Sequence, residues 1–421
     1  MKIKKSLDSY KVIFQNTFYL SIIEAIRLIM PFIALPYIIT TIGATNYGII
    51  IFSQTIVSYF SIVINWGLDV TSVREVSLNR GSLKKMSLIV STVFTIKFIL
   101  FGLCFSIFMI CLFFIPFFQQ YRIIYLYAFL SCFSEVIIPV WFFQGIEKMK
   151  YLTYIRTTSI VLYTILVFTF IKKEMDFTLL ALLQSLANIT AGVFSLILLL
   201  IFCRVKFVFP TFRVMKETFC NSTPFFVSRV SFLLNTNIAK TMSGLFLNMH
   251  TVAAFDLSQK ILSFVSVPIQ MLNQAIYPHV AKNPIKSFSV KMLYVIAALS
   301  LILSVLLFFL APYIILYFSA QLYAEALIFI RILCLYVFCF GINTYLGTPL
   351  LVAYGFYKPF NFSVIYSTLF VCSLYGILYV FNLLGGECFA LAMFLTELFI
   401  LIYRFYYCLK FKLILNSATL L

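Results

Sequence analysis

The chain has 421 residues, 63% of them hydrophobic and 19% aromatic, with only 10% charged and a mean hydropathy of +1.06. No water-soluble surface can be assembled from that composition, which excludes a soluble globular enzyme and places the chain among all-α polytopic membrane proteins. The net charge of +18 would suggest nucleic acid only if the basic residues formed a contiguous domain, and they are scattered through short loops and apolar runs instead.

Residues Met1 to Lys11 are polar and basic, and the apolar run that follows continues as a membrane span without a small-residue cleavage site, so no removable signal peptide is expected. A bilayer core of about 30 Å needs about 20 apolar residues of helix. Windows of about 19 residues place six spans near 17–42, 46–69, 87–114, 123–145, 158–171 and 178–203, with the fifth the shortest. Six more follow near 220–247, 251–278, 293–319, 326–355, 360–384 and 388–409. The pattern predicts a first bundle over 1–203, a cytoplasmic linker over 204–216 and a second bundle over 217–421.

With the N-terminus in the cytoplasm, 22 of the 31 Lys and Arg residues fall on the inside, including Arg404, Lys410 and Lys412 near the C-terminus. Three fall outside (Arg122, Lys172 and Lys173) and six lie within spans, so both termini are expected to be cytoplasmic. Six spans per half give the halves the same orientation, so a repeat would be parallel, about a pseudo-two-fold axis normal to the membrane. A trace of one exists: Ser53-Gln54 and Ser58-Tyr59 in the second span reappear 205 residues later as Ser258-Gln259 and Ser263-Phe264. Ten cysteines sit mostly in apolar runs with no CxxC, and His250 and His279 are the only histidines, so no disulfide framework, metal or cofactor is indicated.

Ten charged residues lie inside the spans, where a charge at mid-depth costs about 2.5–3.5 kcal/mol even on the gentlest scale. Glu24 and Arg27 are three apart on the first span and Asp256 and Lys260 four apart on the eighth, so each pair shares a helical face. Each pair could neutralise itself or face a cavity, and Pro31 and Pro36 allow the first span to bend. Lys97, Glu135, Arg229, Lys240, Arg331 and Glu397 have no partner on their own helix. Lys240 and Arg331 are near enough to a boundary to snorkel, whereas Lys97, Glu135, Arg229 and Glu397 are about ten residues from a span end, hence at mid-depth and expected to face a cavity.

The cations Arg27, Lys97, Arg229, Lys240, Lys260 and Arg331 exceed the anions Glu24, Glu135, Asp256 and Glu397 by two charges. A cavity of that polarity attracts an anionic ligand, and arginine can hold phosphate through two parallel hydrogen bonds. The carboxylates could instead take a proton or a coupling cation.

Four segments, Thr41 to Ile49 (TIGATNYGI), Asn65 to Ser77 (NWGLDVTSVREVS), Pro139 to Thr153 (PVWFFQGIEKMKYLT) and Asn273 to Lys282 (NQAIYPHVAK), resemble the Wzx-type O-antigen flippases. These form the polysaccharide-exporter branch of the multidrug/oligosaccharidyl-lipid/polysaccharide exporter superfamily. The resemblance continues through Thr396-Glu397, and its most specific piece is the W-x-x-Q-G-x-E-K-M run from Trp141 to Met149. It implies two six-helix bundles around a central cavity in the bacterial inner membrane. The implied activity moves undecaprenyl-pyrophosphate-linked O-antigen units from the cytoplasmic to the periplasmic leaflet, with the O-antigen polymerase and chain-length regulator as protein partners. The chain departs from the pattern at Asn248 and Ala253, where relatives often carry glycine, and Asp256 and Lys260 lie outside the motifs.

A multidrug exporter of the same superfamily would want an apolar, net acidic cavity, against the cationic surplus here. A membrane O-antigen polymerase would need a sizeable outside loop, whereas Ile115 to Arg122 and Lys172 to Phe177 are short. No P-loop and no nucleophile with its base is present, so the sequence points to alternating access without covalent chemistry.

Overall fold

In lipid every backbone N–H and C=O must be satisfied within its own segment, which leaves helices as the solution for an apolar chain of this kind. The computed structural model describes residues 26, 29–30, 32–282 and 284–414, and among them no strand occurs. Glu24, Arg27 and Pro31 lie outside the described residues.

The chain divides into two compact units at Val230/Ser231. The first contains α1 (Phe32–Ile42), α2 (Ala44–Asn65), α3 (Leu68–Leu78), α4 (Leu83–Phe114), α5 (Pro116–Gln119), α6 (Arg122–Ile137), α7 (Val140–Gly145), α8 (Met149–Phe170) and α9 (Phe177–Ile197). Helix α10 (Phe212–Phe246) runs through the division, so the boundary falls inside a helix and C-terminal to the expected linker. The second unit continues with α11 (Met249–Val265), α12 (Val267–Lys282), α13 (Lys286–Phe318), α14 (Tyr323–Tyr345), α15 (Tyr357–Val380) and α16 (Gly386–Lys410). A π-helical stretch, Leu346–Val352, extends α14.

Among the described residues nine helices are long and apolar enough to cross a membrane, or ten when α11 and α12 are taken as one span bent by 43°. The bend sits at Ser266, just before Pro268, whose ring removes a backbone donor and restricts the preceding residue. Helix α1 and the more polar α10 coincide with the first and seventh expected spans. The fifth span is longer than its hydropathy suggested: α8 starts at Met149 because Lys150 and Arg156 depress the apolar average without interrupting a helix.

The two serines of the repeat trace, Ser53 on α2 and Ser258 on α11, are both fully buried and both donate back into their own helix, to Ile50 O and Ala254 O. At Asn248 the side chain caps α11, its Oδ1 accepting from Thr251 N at 2.8 Å. Gly43 in the matching place before α2 instead has φ +84°.

Two corners of the first unit are built by the resemblance motifs. In the N-W-G corner, Trp66 (φ 44°) lies stacked against Phe219 and Phe226, with ring centroids 4.5 and 4.0 Å away, and its Nε1 donates to Thr223 Oγ1 at 3.2 Å. Gly67 has φ +70°, and a Cβ there would lie 2.8 Å from Phe225 Cβ, Phe226 N and Ser222 O, so glycine is what lets the start of α10 approach this corner. In the Q-G-x-E corner, Arg80 donates from Nε to Gly145 O at 2.7 Å and from a terminal nitrogen to Glu147 Oε1 at 2.8 Å. That hydrogen bond holds the Glu147 carboxyl below the usual carboxylate range. A Cβ on Gly145 would meet Val76 Cβ at 2.7 Å, so α3 and α7 touch through the glycine.

Gly67→Ala combines a left-handed backbone penalty of about 1–2 kcal/mol with overpacking of about 1–3 kcal/mol. It should clearly lower the thermal midpoint of the detergent-purified protein. Gly81→Ala, where the added Cβ meets nothing within 4 Å, should leave the midpoint within experimental error.

Candidate functional site

In the first unit, α4 carries Lys97, only 2% exposed, against the C-terminal ends of α2 and α6. Its Nζ donates to Asn65 Oδ1 at 2.6 Å and to the Glu135 carbonyl at 2.9 Å, while Asn65 Nδ2 donates to Glu135 Oε2 at 3.1 Å. An asparagine amide therefore sits between cation and carboxylate. Lys97 and Glu135, each without a partner on its own helix, are thus brought together. Asn65 was absent from the sequence candidates; its one signal is its place at the end of an apolar run, next to Trp66-Gly67.

Arg229 had no evident partner in the sequence, and the structure supplies Asp69, whose Oδ2 accepts at 2.9 Å. Asp69 stands in the first turn of α3, where a negative charge complements the helix dipole. Both side chains are substantially exposed, at 52% and 35%, so Arg229 is a surface-accessible ion pair and not a solitary mid-depth cation.

In the second unit, Asp256 is buried and holds two lysines, Lys260 at 2.7 Å one turn along α11 and Lys240 of α10 at 3.4 Å. The same-face pair exists, and Lys240 joins it instead of snorkelling. Arg331 is exposed, its guanidinium carbon 5.6 Å from the Phe308 ring centroid. It does not line the cavity that follows.

Helices α10, α11, α12, α14, α15 and α16 of the second unit line a cavity of about 310 Å³, and Glu397 is one of its buried walls. Asn343 Nδ2 donates to Glu397 Oε1 at 2.7 Å, and the Asn343 carbonyl accepts from Arg404 at 2.8 Å. Arg404, expected among the cytoplasmic loop cations, is instead 8% exposed and lines the cavity. Its Nε donates to Ser363 Oγ at 3.0 Å and its guanidinium lies 4.9 Å from the Phe360 ring centroid. A Cβ at Gly347, in the π-helical stretch, would come within 2.7 Å of an Arg404 terminal nitrogen. The seven-residue spacing of Glu397 and Arg404, two turns on one face of α16, was the available signal for Arg404.

The model of a family described as polysaccharide biosynthesis protein matches residues 13–284. The chain belongs to this family. Two polysaccharide biosynthesis relatives both carry the name "Putative O-antigen transporter". That of Escherichia coli (strain K12) is 23% identical over 270 residues, covering 64% of this chain and 65%, just under two thirds, of the relative. That of Shigella dysenteriae is 22% identical over 353 residues, 81% of this chain and 86% of the relative. Among solved structures, an inward-facing multidrug resistance MATE family transporter of the MOP superfamily superposes with a TM-score of 0.72 at 14% identity, over 91% of this chain and 94% of that one. The lipid II flippase MurJ, inward closed, gives 0.68 at 13% identity over 96% and 91%. The motif resemblance is therefore borne out for family and fold: a multi-pass, all-helical chain with the architecture of MOP-superfamily transporters.

Asp256→Asn removes the carboxylate charge that both the Lys240 and the Lys260 ammonium contact. Breaking a buried pair costs about 3–5 kcal/mol, and the lower end applies because Lys260 is 38% exposed. The variant should unfold at a markedly lower temperature, and adding Lys240→Met should recover part of the loss.

Proposed function

We propose that this polysaccharide biosynthesis protein translocates undecaprenyl-pyrophosphate-linked O-antigen repeat units from the cytoplasmic to the periplasmic leaflet of the bacterial inner membrane. It does so by alternating access, without a covalent step. The observation that carries this reading is the excess of cations around Asp256, whose one carboxylate is contacted by both Lys240 and Lys260. A net positive site in a low-dielectric surrounding favours a pyrophosphate-bearing ligand over an organic cation, which counts against the multidrug reading despite the shared fold.

In this reading Lys240 and Lys260 bind the pyrophosphate while Asp256 keeps them oriented. Glu397 and Glu135 are the candidates for ion coupling, and Lys97 is linked to the Glu135 carboxylate through the Asn65 amide. Arg229 and its partner Asp69 lie at an exposed corner, where a reversible ion pair can open and close. The O-antigen polymerase and the chain-length regulator would receive the product on the outer face. The excess of Lys and Arg on one set of loops supports cytoplasmic termini.

Expressed in a flippase deletion strain making a defined O-unit, the chain should restore surface polysaccharide. Lys260→Arg should keep part of that activity and Lys260→Glu should lower it at least tenfold at normal protein level. Restoration of no O-unit by a normally inserted wild-type protein would overturn the reading. Reporter fusions after Phe118 and Gly386 should read periplasmic, and those after Lys85 and Lys216 cytoplasmic; a cytoplasmic readout at Gly386 contradicts the twelve-span topology.

A further inference from the structure

The second-unit cavity is separate in chemistry from the Asp256 cluster, and its fittings match neither a phosphate nor a lipid tail. We infer that it is a subsite for one neutral pyranose ring of the transported glycan. This rests on the transporter reading above and gives its ligand a second point of attachment.

Size is the first argument. A volume of about 310 Å³ is at the bottom of the roughly 300–1,000 Å³ range of small-ligand pockets, too small for a whole repeat unit. Charge is the second. Glu397 and Arg404 are of opposite sign and Asn343 bridges them, its side chain donating to the carboxylate and its carbonyl accepting from the guanidinium. A phosphate entering here meets the Glu397 carboxylate, and a cation meets the Arg404 guanidinium. Two of the five Arg404 N–H donors are already engaged, by Ser363 and the Asn343 backbone carbonyl, and the nearby Glu397 carboxylate opposes the approach of a phosphate to the remaining three.

The third argument is the set of unused hydrogen-bonding atoms. Asn343, 2% exposed, has its Oδ1 buried without a partner, and so has Asn235 its Oδ1, both on the cavity wall. An orphaned buried acceptor calls for a donor, and amide oxygens alongside a carboxylate suit hydroxyl groups, which donate and accept at once. Aromatic surface completes the pattern. Tyr336 and Phe340, one turn apart on α14 with ring centroids 5.8 Å apart and planes at 13°, present a platform on the same wall. The C–H face of a pyranose is drawn to the negative face of such rings.

The test uses the full-length protein in cells making a defined O-unit. The photoreactive residue p-benzoylphenylalanine is placed at Phe232 or Thr344 in the cavity, or at exposed Leu103 of the first unit as control. After irradiation, mild acid removes the lipid pyrophosphate and peptide masses are read. Sugar-bearing adducts are expected at 232 and 344 and not at 103, with yields falling at least fivefold when Asn235→Ala and Gln259→Ala are added at unchanged protein level. Adducts carrying only isoprenoid, or no cavity adduct while export continues, overturn the subsite and leave the transporter reading standing. Loss of all export by wild-type protein at normal level overturns both. As a measurement independent of export, saturation-transfer NMR of purified wild-type protein with free glucose, galactose and N-acetylglucosamine should show transfer to at least one sugar, abolished by Phe340→Leu. Transfer to none, or transfer unchanged in Phe340→Leu, overturns the proposal.

Discussion

A charge inside a membrane-spanning bundle must meet a counter-group within reach of its own helix or the next, because no solvent is there to receive it. Both units meet this requirement at an asparagine, in different ways. In the first, the side-chain amide of Asn65 accepts from Lys97 through its oxygen and donates to Glu135 through its nitrogen; in the second, Arg404 donates to the backbone carbonyl of Asn343, whose side-chain nitrogen donates to Glu397. The Asn65 amide carries donor and acceptor together and holds two opposite charges near each other, whereas at Asn343 the main chain takes the cation and the side chain the anion. The helices must pack closely enough to bring these asparagines into place, which makes the rest of the architecture subordinate to the polar clusters.

Much of the fold was legible in the chain because hydropathy over a span is a local property. The helices follow the order of the apolar runs, nine or ten of them long and apolar enough to span a membrane among the described residues against twelve expected, and they differ where a local average misleads: Lys150 and Arg156 hid the first half of α8, and Pro268 broke a continuous apolar run into α11 and α12. The site was less legible because its partners are distant in sequence. Asn343 and Glu397 are separated by 54 residues and Asn343 and Arg404 by 61, and no spacing rule joins them. Asp69 looked like a span-end residue and Arg404 like one more loop cation before Lys410 and Lys412. A neutral asparagine in an apolar run, such as Asn65, carries no charge to draw attention.

The resemblance motifs and the polar clusters do different things. Gly67 and Gly145 permit close approach of backbones, and Arg80 with Glu147 fastens the Q-G-x-E corner, so these motifs describe a scaffold. Multidrug efflux and lipid II flipping are named for proteins of the same architecture, so what distinguishes one member from another has to lie in the residues that line its interior. Asp256 and Lys260 lie outside every one of those motifs.

The π-helical stretch at the end of α14 gives Gly347 a significance beyond backbone freedom. The Arg404 guanidinium occupies the space that a side chain at 347 would fill, so the two positions form a single steric unit: one is empty so that the other can be full. Among homologous chains, those that keep an arginine at this place should keep the glycine, and those that abandon the arginine are released from it. Paired drift at these two positions would mark the lineages in which the cavity wall has lost its guanidinium.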